Sequence, residues 1–118
     1  MSEIAAIKKQ LKIKSSVVQR YEKEIKYYQQ EAGDLQQKLD KFISEQAEEW
    51  DLKNTTRMIE ESKKMIVDTE TRLGKASGEL SDLIGQVKGK PDVADTEEFK
   101  KAADIAEEIA KRAESSFA

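Results

Sequence analysis

The chain has no cysteine and no histidine, one proline, and only 6% aromatic residues in 118. Without cysteine there is no disulfide framework, no thiolate nucleophile and no Cys-based zinc site. Without histidine there is no imidazole acid or base, and no Glu-x-x-His pair to hold two metals inside a helical bundle. The five glycines form neither a G-x-G-x-x-G nor a G-x-x-x-x-G-K-S/T arrangement, so no phosphate-cradling loop is expected. The remaining carboxylates and lysines are spread over solvent positions with no pocket to perturb them. The expectation is a protein that is not an enzyme, with no metal and no cofactor.

Long hydrophobic runs are missing too. The apolar stretches are only a few residues long, and nothing resembles a signal peptide or a membrane span. A soluble, intracellular protein without a membrane partner is the expectation. The net charge of −3 argues against a nucleic-acid partner. Its distribution is uneven, with a basic excess over residues 1–30 and an acidic excess over residues 91–118.

What the chain does have is 38% charged and 37% hydrophobic residues laid out with a helical period, the profile of long helices and coiled coils. One apolar ladder runs Ile4, Ile7, Leu11, Lys14, Val18, Tyr21, Ile25, Tyr28, Ala32, Leu35, Leu39, Phe42. A second runs Leu52, Thr55, Ile59, Ser62, Ile66, Thr69, Leu73, Ala76, Leu80, Leu83, Val87. Both alternate steps of three and four, which keeps one stripe of each helix facing a neighbour along its length. Folded back on each other, the rungs pair in register: Leu11 with Val87, Val18 with Leu80, Leu35 with Ser62, Leu39 with Ile59.

The spacing predicts a first helix over about 3–48, a turn at 48–51 with Asp51 as N-cap, and a second helix over about 52–86. Gly85, Gly89 and Pro91 punctuate the next turn. Asp95 and Glu98 have capping-box spacing, opening a third helix over about 96–114 with the ladder Phe99, Ala102, Ala106, Ile109, Ala113 and Ile105 flanking. Residues 1–118 therefore read as a single all-α domain, an elongated, coiled-coil-like antiparallel three-helix bundle in up-down-up order with a shorter third helix. Val17, Met58, Met65 and Ile84 widen the main stripes to suit a second neighbour. The short third helix covers only part of the hairpin and leaves a two-stranded tip. Phe42, Ile43, Trp50, Leu52 and Met58 gather there, either exposed for a partner or covering one another at the turn.

Two stretches carry more than periodicity. The first is Leu11-Lys12-Ile13-Lys14 followed by Val17-Val18-Gln19-Arg20. The second is Trp50-Asp51-Leu52-Lys53, then Glu61-Ser62-Lys63-Lys64-Met65-Ile66-Val67-Asp68 and Arg72-Leu73. Together, in this order and spacing, they resemble the tubulin-binding cofactor A family, with its aromatic-Asp-Ile/Leu-Lys turn and Glu-Ser-basic-x-Met-Ile-Pro-Asp segment. The resemblance implies a post-chaperonin tubulin chaperone that holds quasi-native β-tubulin and passes it to other tubulin-folding cofactors, without catalysis, in the cytoplasm and at the microtubule cytoskeleton. It implies Lys12, Lys14, Arg20, Trp50, Asp51, Lys53, Glu61, Lys63, Asp68 and Arg72 as candidates for the β-tubulin surface.

Val67 stands where the family usually has proline. Because a mid-helix proline kinks a helix, the second helix is expected to be straighter here. The competing function is a structural helical adaptor whose tip forms a homodimer. The exposed lysines and arginines admit two roles, solubilising a long helix or steering an acidic partner.

Overall fold

The computed structural model describes residues 2–117, all of them in helices or in the short connections between helices. The helices are α1 (Ser2–Ser44), α2 (Glu49–Val87), α3 (Pro91–Ala94) and α4 (Glu97–Phe117). The chain divides into two compact units. Unit 1 comprises Met1–Arg20 and Leu73–Ala118, and unit 2 comprises Tyr21–Arg72. Four helices appear where three are expected, because Pro91 does more than end a turn. Its fixed φ suits the first helical position, and Lys90, extended at φ −98° and ψ 105°, precedes it as N-cap.

The first turn is earlier than the sequence suggests. α1 stops at Ser44, so residues 45–48 make the connection and Trp50 and Asp51 lie in the first turn of α2. The stop is a Schellman arrangement. The Ala47 amide donates to the Phe42 carbonyl at 2.9 Å and the Gln46 amide to the Ile43 carbonyl at 3.2 Å. Gln46 takes the left-handed conformation (φ 54°) that such a motif needs. No glycine or proline marks the spot, so a pattern built on those residues places the turn too late. Asp51 is consequently not a cap; with Glu49 it puts negative charge on the positive end of α2.

The start of α4 also differs by one residue. Thr96, not Asp95, caps it: the Thr96 hydroxyl accepts a hydrogen bond from the Phe99 amide at 3.2 Å and donates to the Val93 carbonyl at 2.6 Å. The buried stripe of α4 is Ala102, Ile105 and Ile109, whereas Ala113 is exposed. Ile105 is thus a core residue and Ala113 is not.

Unit 1 has the deeper core. Leu11, Val18, Leu80, Val93 and Ala102 are fully buried, and Leu73, Ala76, Val87, Ile105 and Ile109 nearly so. Lys14, the polar rung of the first ladder, is half-buried and reaches Glu79 at 3.8 Å; Lys8 pairs with Glu98 at 3.7 Å and Lys90 with Glu3 at 3.0 Å. These pairs fasten α1 to α2, to α4 and to the connecting segment. Each is partly exposed and so contributes about 1 kcal/mol or less.

Unit 2 is made of residues 21–44 of α1 and 49–72 of α2 with their connection. Its buried apolar residues are Ile25, Leu35 and Ile59, and the polar Thr55, Ser62 and Thr69 are buried beside them at 2–3% exposure. The Ser62 hydroxyl donates to Glu31 Oε1 at 3.4 Å. Glu31 lies thirteen residues before the end of α1 and Ser62 thirteen after the start of α2, so within unit 2 these segments run side by side in opposite directions. α2 passes through Val67 without interruption, and Thr71 donates its hydroxyl to the Val67 carbonyl at 3.1 Å.

Gln46 gives the fold a simple test. A left-handed residue with a Cβ costs about 1 kcal/mol relative to glycine. Gln46→Gly is therefore expected to raise stability by about 0.5–1 kcal/mol, read as a higher urea midpoint at unchanged slope. A lower midpoint would mean that the Gln46 side chain holds the turn in another way.

Candidate functional site

Along α2, the positions 50, 54, 58, 61, 65, 68 and 72 follow one another in steps of three and four. At about 100° per residue they form a stripe beside the buried one. The residues are Trp50, Asn54, Met58, Glu61, Met65, Asp68 and Arg72, all of them in unit 2. Trp50 is 70% exposed, Met58 37% and Met65 39%. Local contacts hold the stripe in place. Arg57 donates to Asn54 Oδ1 at 2.7 Å, Asn54 Nδ2 lies 3.8 Å from the Met58 sulfur, and Arg72 pairs with Asp68 at 3.3 Å.

The ten candidates from the sequence are not one patch. Lys12, Lys14 and Arg20 belong to unit 1, and the other seven to unit 2. Of those seven, the stripe gathers Trp50, Glu61, Asp68 and Arg72. Lys53 turns to another face and pairs with Glu49 at 2.9 Å, Asp51 is half-buried, and Lys63 lies with exposed Val67 and Thr71 along a shallow depression. Lys14 is already engaged with Glu79.

Met58 and Met65 carry the main difference from expectation. As widening positions they anticipate a second neighbour, but α4 is in unit 1, and among the described residues unit 2 has no third helix. They therefore stay part-exposed. Tyr27 and Ile43 of α1 and Val67 of α2 are exposed in the same unit, whereas among the residues of unit 1 whose side chains are described Ile13 is the large apolar one exposed. Phe42 and Leu52 are half-buried, so the apolar group near the turn is covered in part only. The signal was present in the sequence as the mismatch between a long ladder pair and a short third ladder.

Unit 1 offers a cleft of about 190 Å³ lined by Lys12, Ser15, Ser16 and Gln19 of α1 and by Glu97, Glu98 and Lys101 of α4. The Ser15 hydroxyl is buried there without a hydrogen-bond partner. Two lysines against two glutamates give the cleft no dominant sign. Among the described residues no group of Asp or Glu side chains is arranged to hold a metal ion, and no helix is long and apolar enough to cross a membrane.

The class these features define is a small all-helical protein whose distinctive chemistry lies on exposed helix faces. A family model described as tubulin binding cofactor A matches residues 6–106. The tubulin-specific chaperone A of Gallus gallus is 33% identical over 101 residues, covering 86% of this chain and 91% of that protein. The Homo sapiens tubulin-specific chaperone A is 35% identical over 94 residues, covering 80% and 84%. A solved structure of human tubulin chaperone cofactor a superimposes with a TM-score of 0.72 at 31% identity, over 88% of this chain and 98% of that one. The chain belongs to the tubulin binding cofactor A family.

Trp50, the single tryptophan, reports on the stripe. Its fluorescence is expected to be quenched by acrylamide nearly as efficiently as that of a free indole derivative. A strongly protected emission in the isolated chain would show that the stripe is already covered.

Proposed function

We propose that this chain is a tubulin-folding cofactor that captures a β-tubulin subunit by protein–protein binding and holds it without chemistry of its own. Family membership supports tubulin as the client. The observation that carries the reading further is the concentration of exposed large apolar side chains in unit 2, on Tyr27, Ile43, Trp50, Met58, Met65 and Val67. Apolar side chains exposed in this way, on more than one face of the unit and set among charged residues, suit a partner that itself displays incompletely buried surface. A quasi-native tubulin subunit released from the cytosolic chaperonin has that character.

In this reading Trp50, Glu61, Asp68 and Arg72 contact β-tubulin directly. Asp51, Lys53 and Lys63 border the contact, while Lys12, Lys14 and Arg20, which lie in unit 1, make a second, separate contact with the client. The chain acts in the cytoplasm and delivers its client to other tubulin-folding cofactors at the start of microtubule assembly. Neither nucleotide nor metal is required. The up-down-up order of α1, α2 and α4 belongs to the same proposal.

The test is co-precipitation from a cytosolic extract with the tagged full chain. The expected result is β-tubulin recovered without a matching amount of α-tubulin. Recovery of α- and β-tubulin in equal amounts, or of neither, would overturn the reading.

A further inference from the structure

The Ser62–Glu31 hydrogen bond fixes which flank of α1 adjoins which flank of α2 in unit 2. On α1, Tyr27, Tyr28 and Lys38 lie four and three residues before Glu31 and seven after it, on the same side of that helix. On α2, Met58 and Met65 lie four before and three after Ser62. The two flanks therefore form the walls of one groove, with Ser62 and Thr69 buried at its floor and the methionines, about 40% exposed, on one wall. Tyr27 stands edge-on to Tyr28 at 5.5 Å between ring centres and is 64% exposed on the other. A groove between two helices, apolar at helical spacing and lacking a third element, has the shape that accepts a helix.

Charge at the rims selects the kind of helix. Unit 2 carries thirteen acidic against nine basic residues. Along this groove Glu31, Asp34, Glu61 and Asp68 face Lys38 and Arg72. Lys38 is placed over the Phe42 ring at 5.6 Å, and Arg72 is neutralised by Asp68. Glu31 and Asp34 accept hydrogen bonds from neutral groups, Ser62 and Gln30, which leaves their charge in place. A second copy presenting the same groove would set carboxylates against carboxylates, which is unfavourable for an isologous pair.

We infer that the unit 2 groove is the docking site for one amphipathic helix of the client, with an apolar stripe of helical period bordered by lysine and arginine. Methionines suit this role because their flexible, polarisable side chains adapt to different apolar partners. The inference deepens the proposed function by naming the client segment that this surface takes, and it rests on that reading only for the identity of the client.

The test uses the full chain with its methionine methyl groups isotopically labelled, a sparse spectrum given three methionines. The probes are two synthetic helical peptides of about 18 residues, long enough to span about 27 Å. They share a leucine stripe and differ in having lysine or glutamate margins. The lysine peptide is expected to shift the Met58 and Met65 methyl resonances and the glutamate peptide to leave them in place. Met58→Gln with Met65→Gln is expected to weaken the lysine peptide about tenfold, with helicity and melting unchanged because both side chains are already part-exposed. The single Glu61→Lys change is expected to weaken it less and to reduce its salt dependence.

Equal shifts with both peptides, or none with either, would overturn the inference. So would methyl shifts that grow with protein concentration alone alongside a dimer in sedimentation, which would give the groove to a second copy. If the lysine peptide binds as described but the chain recovers no tubulin from extract, the groove stands and the tubulin reading falls. If tubulin is captured equally well by the double glutamine variant, the tubulin reading stands and the groove is not its docking site.

Discussion

Two helices that pack side by side enclose only the stripe along which they meet; the positions flanking that stripe stay open until a third element covers them. The arrangement of this protein follows from that geometric limit. In unit 1, α4 brings Ala102, Ile105 and Ile109 to residues of α1 and α2, and large aliphatic side chains there lose nearly all contact with water. In unit 2 the limit is not lifted. Leu35 and Ile59 are buried between the helices, but Met58 and Met65, one step aside, keep more than a third of their surface in solvent.

The same limit explains the chemistry of the interior. Thr55, Ser62 and Thr69 are buried rungs of unit 2 on the half of the ladder that continues into unit 1 as Ala76 and Leu83, whereas Ile59 and Ile66 lie on the half that continues as Leu73, Leu80 and Val87. A small hydroxyl side chain buries little apolar area, about a methyl's worth, so each such rung forgoes on the order of 1–2 kcal/mol relative to a buried leucine. Fewer buried apolar contacts mean lower local stability, and binding surfaces are drawn from the less stable parts of a fold. Unit 1 thus has the deeper core, and unit 2 the thinner core and the more exposed apolar side chains.

Much of this was legible in the sequence because it depends on periodicity. The three-four spacing of both ladders identifies the helices, and the short alanine-rich third ladder implies unequal cover. The exposed flank at Met58 and Met65 follows once α4 is known to lie in unit 1. What the sequence did not reveal depends on single backbone conformations. Gln46 adopts a left-handed turn that glycine normally marks, so α1 ends before the residues that look like a turn. Thr96 caps α4 although Asp95 has the better-known spacing, and Ile105, which flanks the expected ladder, is buried while Ala113 on that ladder is exposed. The ten candidate residues were chosen by resemblance, which has no face; helical geometry gathers Trp50, Glu61, Asp68 and Arg72 into one stripe and leaves Lys12, Lys14 and Arg20 in the other unit.

The central claim is that the part with the thin core is the part that meets the client. Hydrogen–deuterium exchange of the full chain, alone and bound to tubulin, measures it residue by residue. Amide exchange is expected to be fast across unit 2 in the free chain, with strong slowing on binding concentrated over residues 54–72 and the facing turns of α1. Slowing confined to unit 1, with unit 2 exchanging at its free rate in the complex, would contradict it.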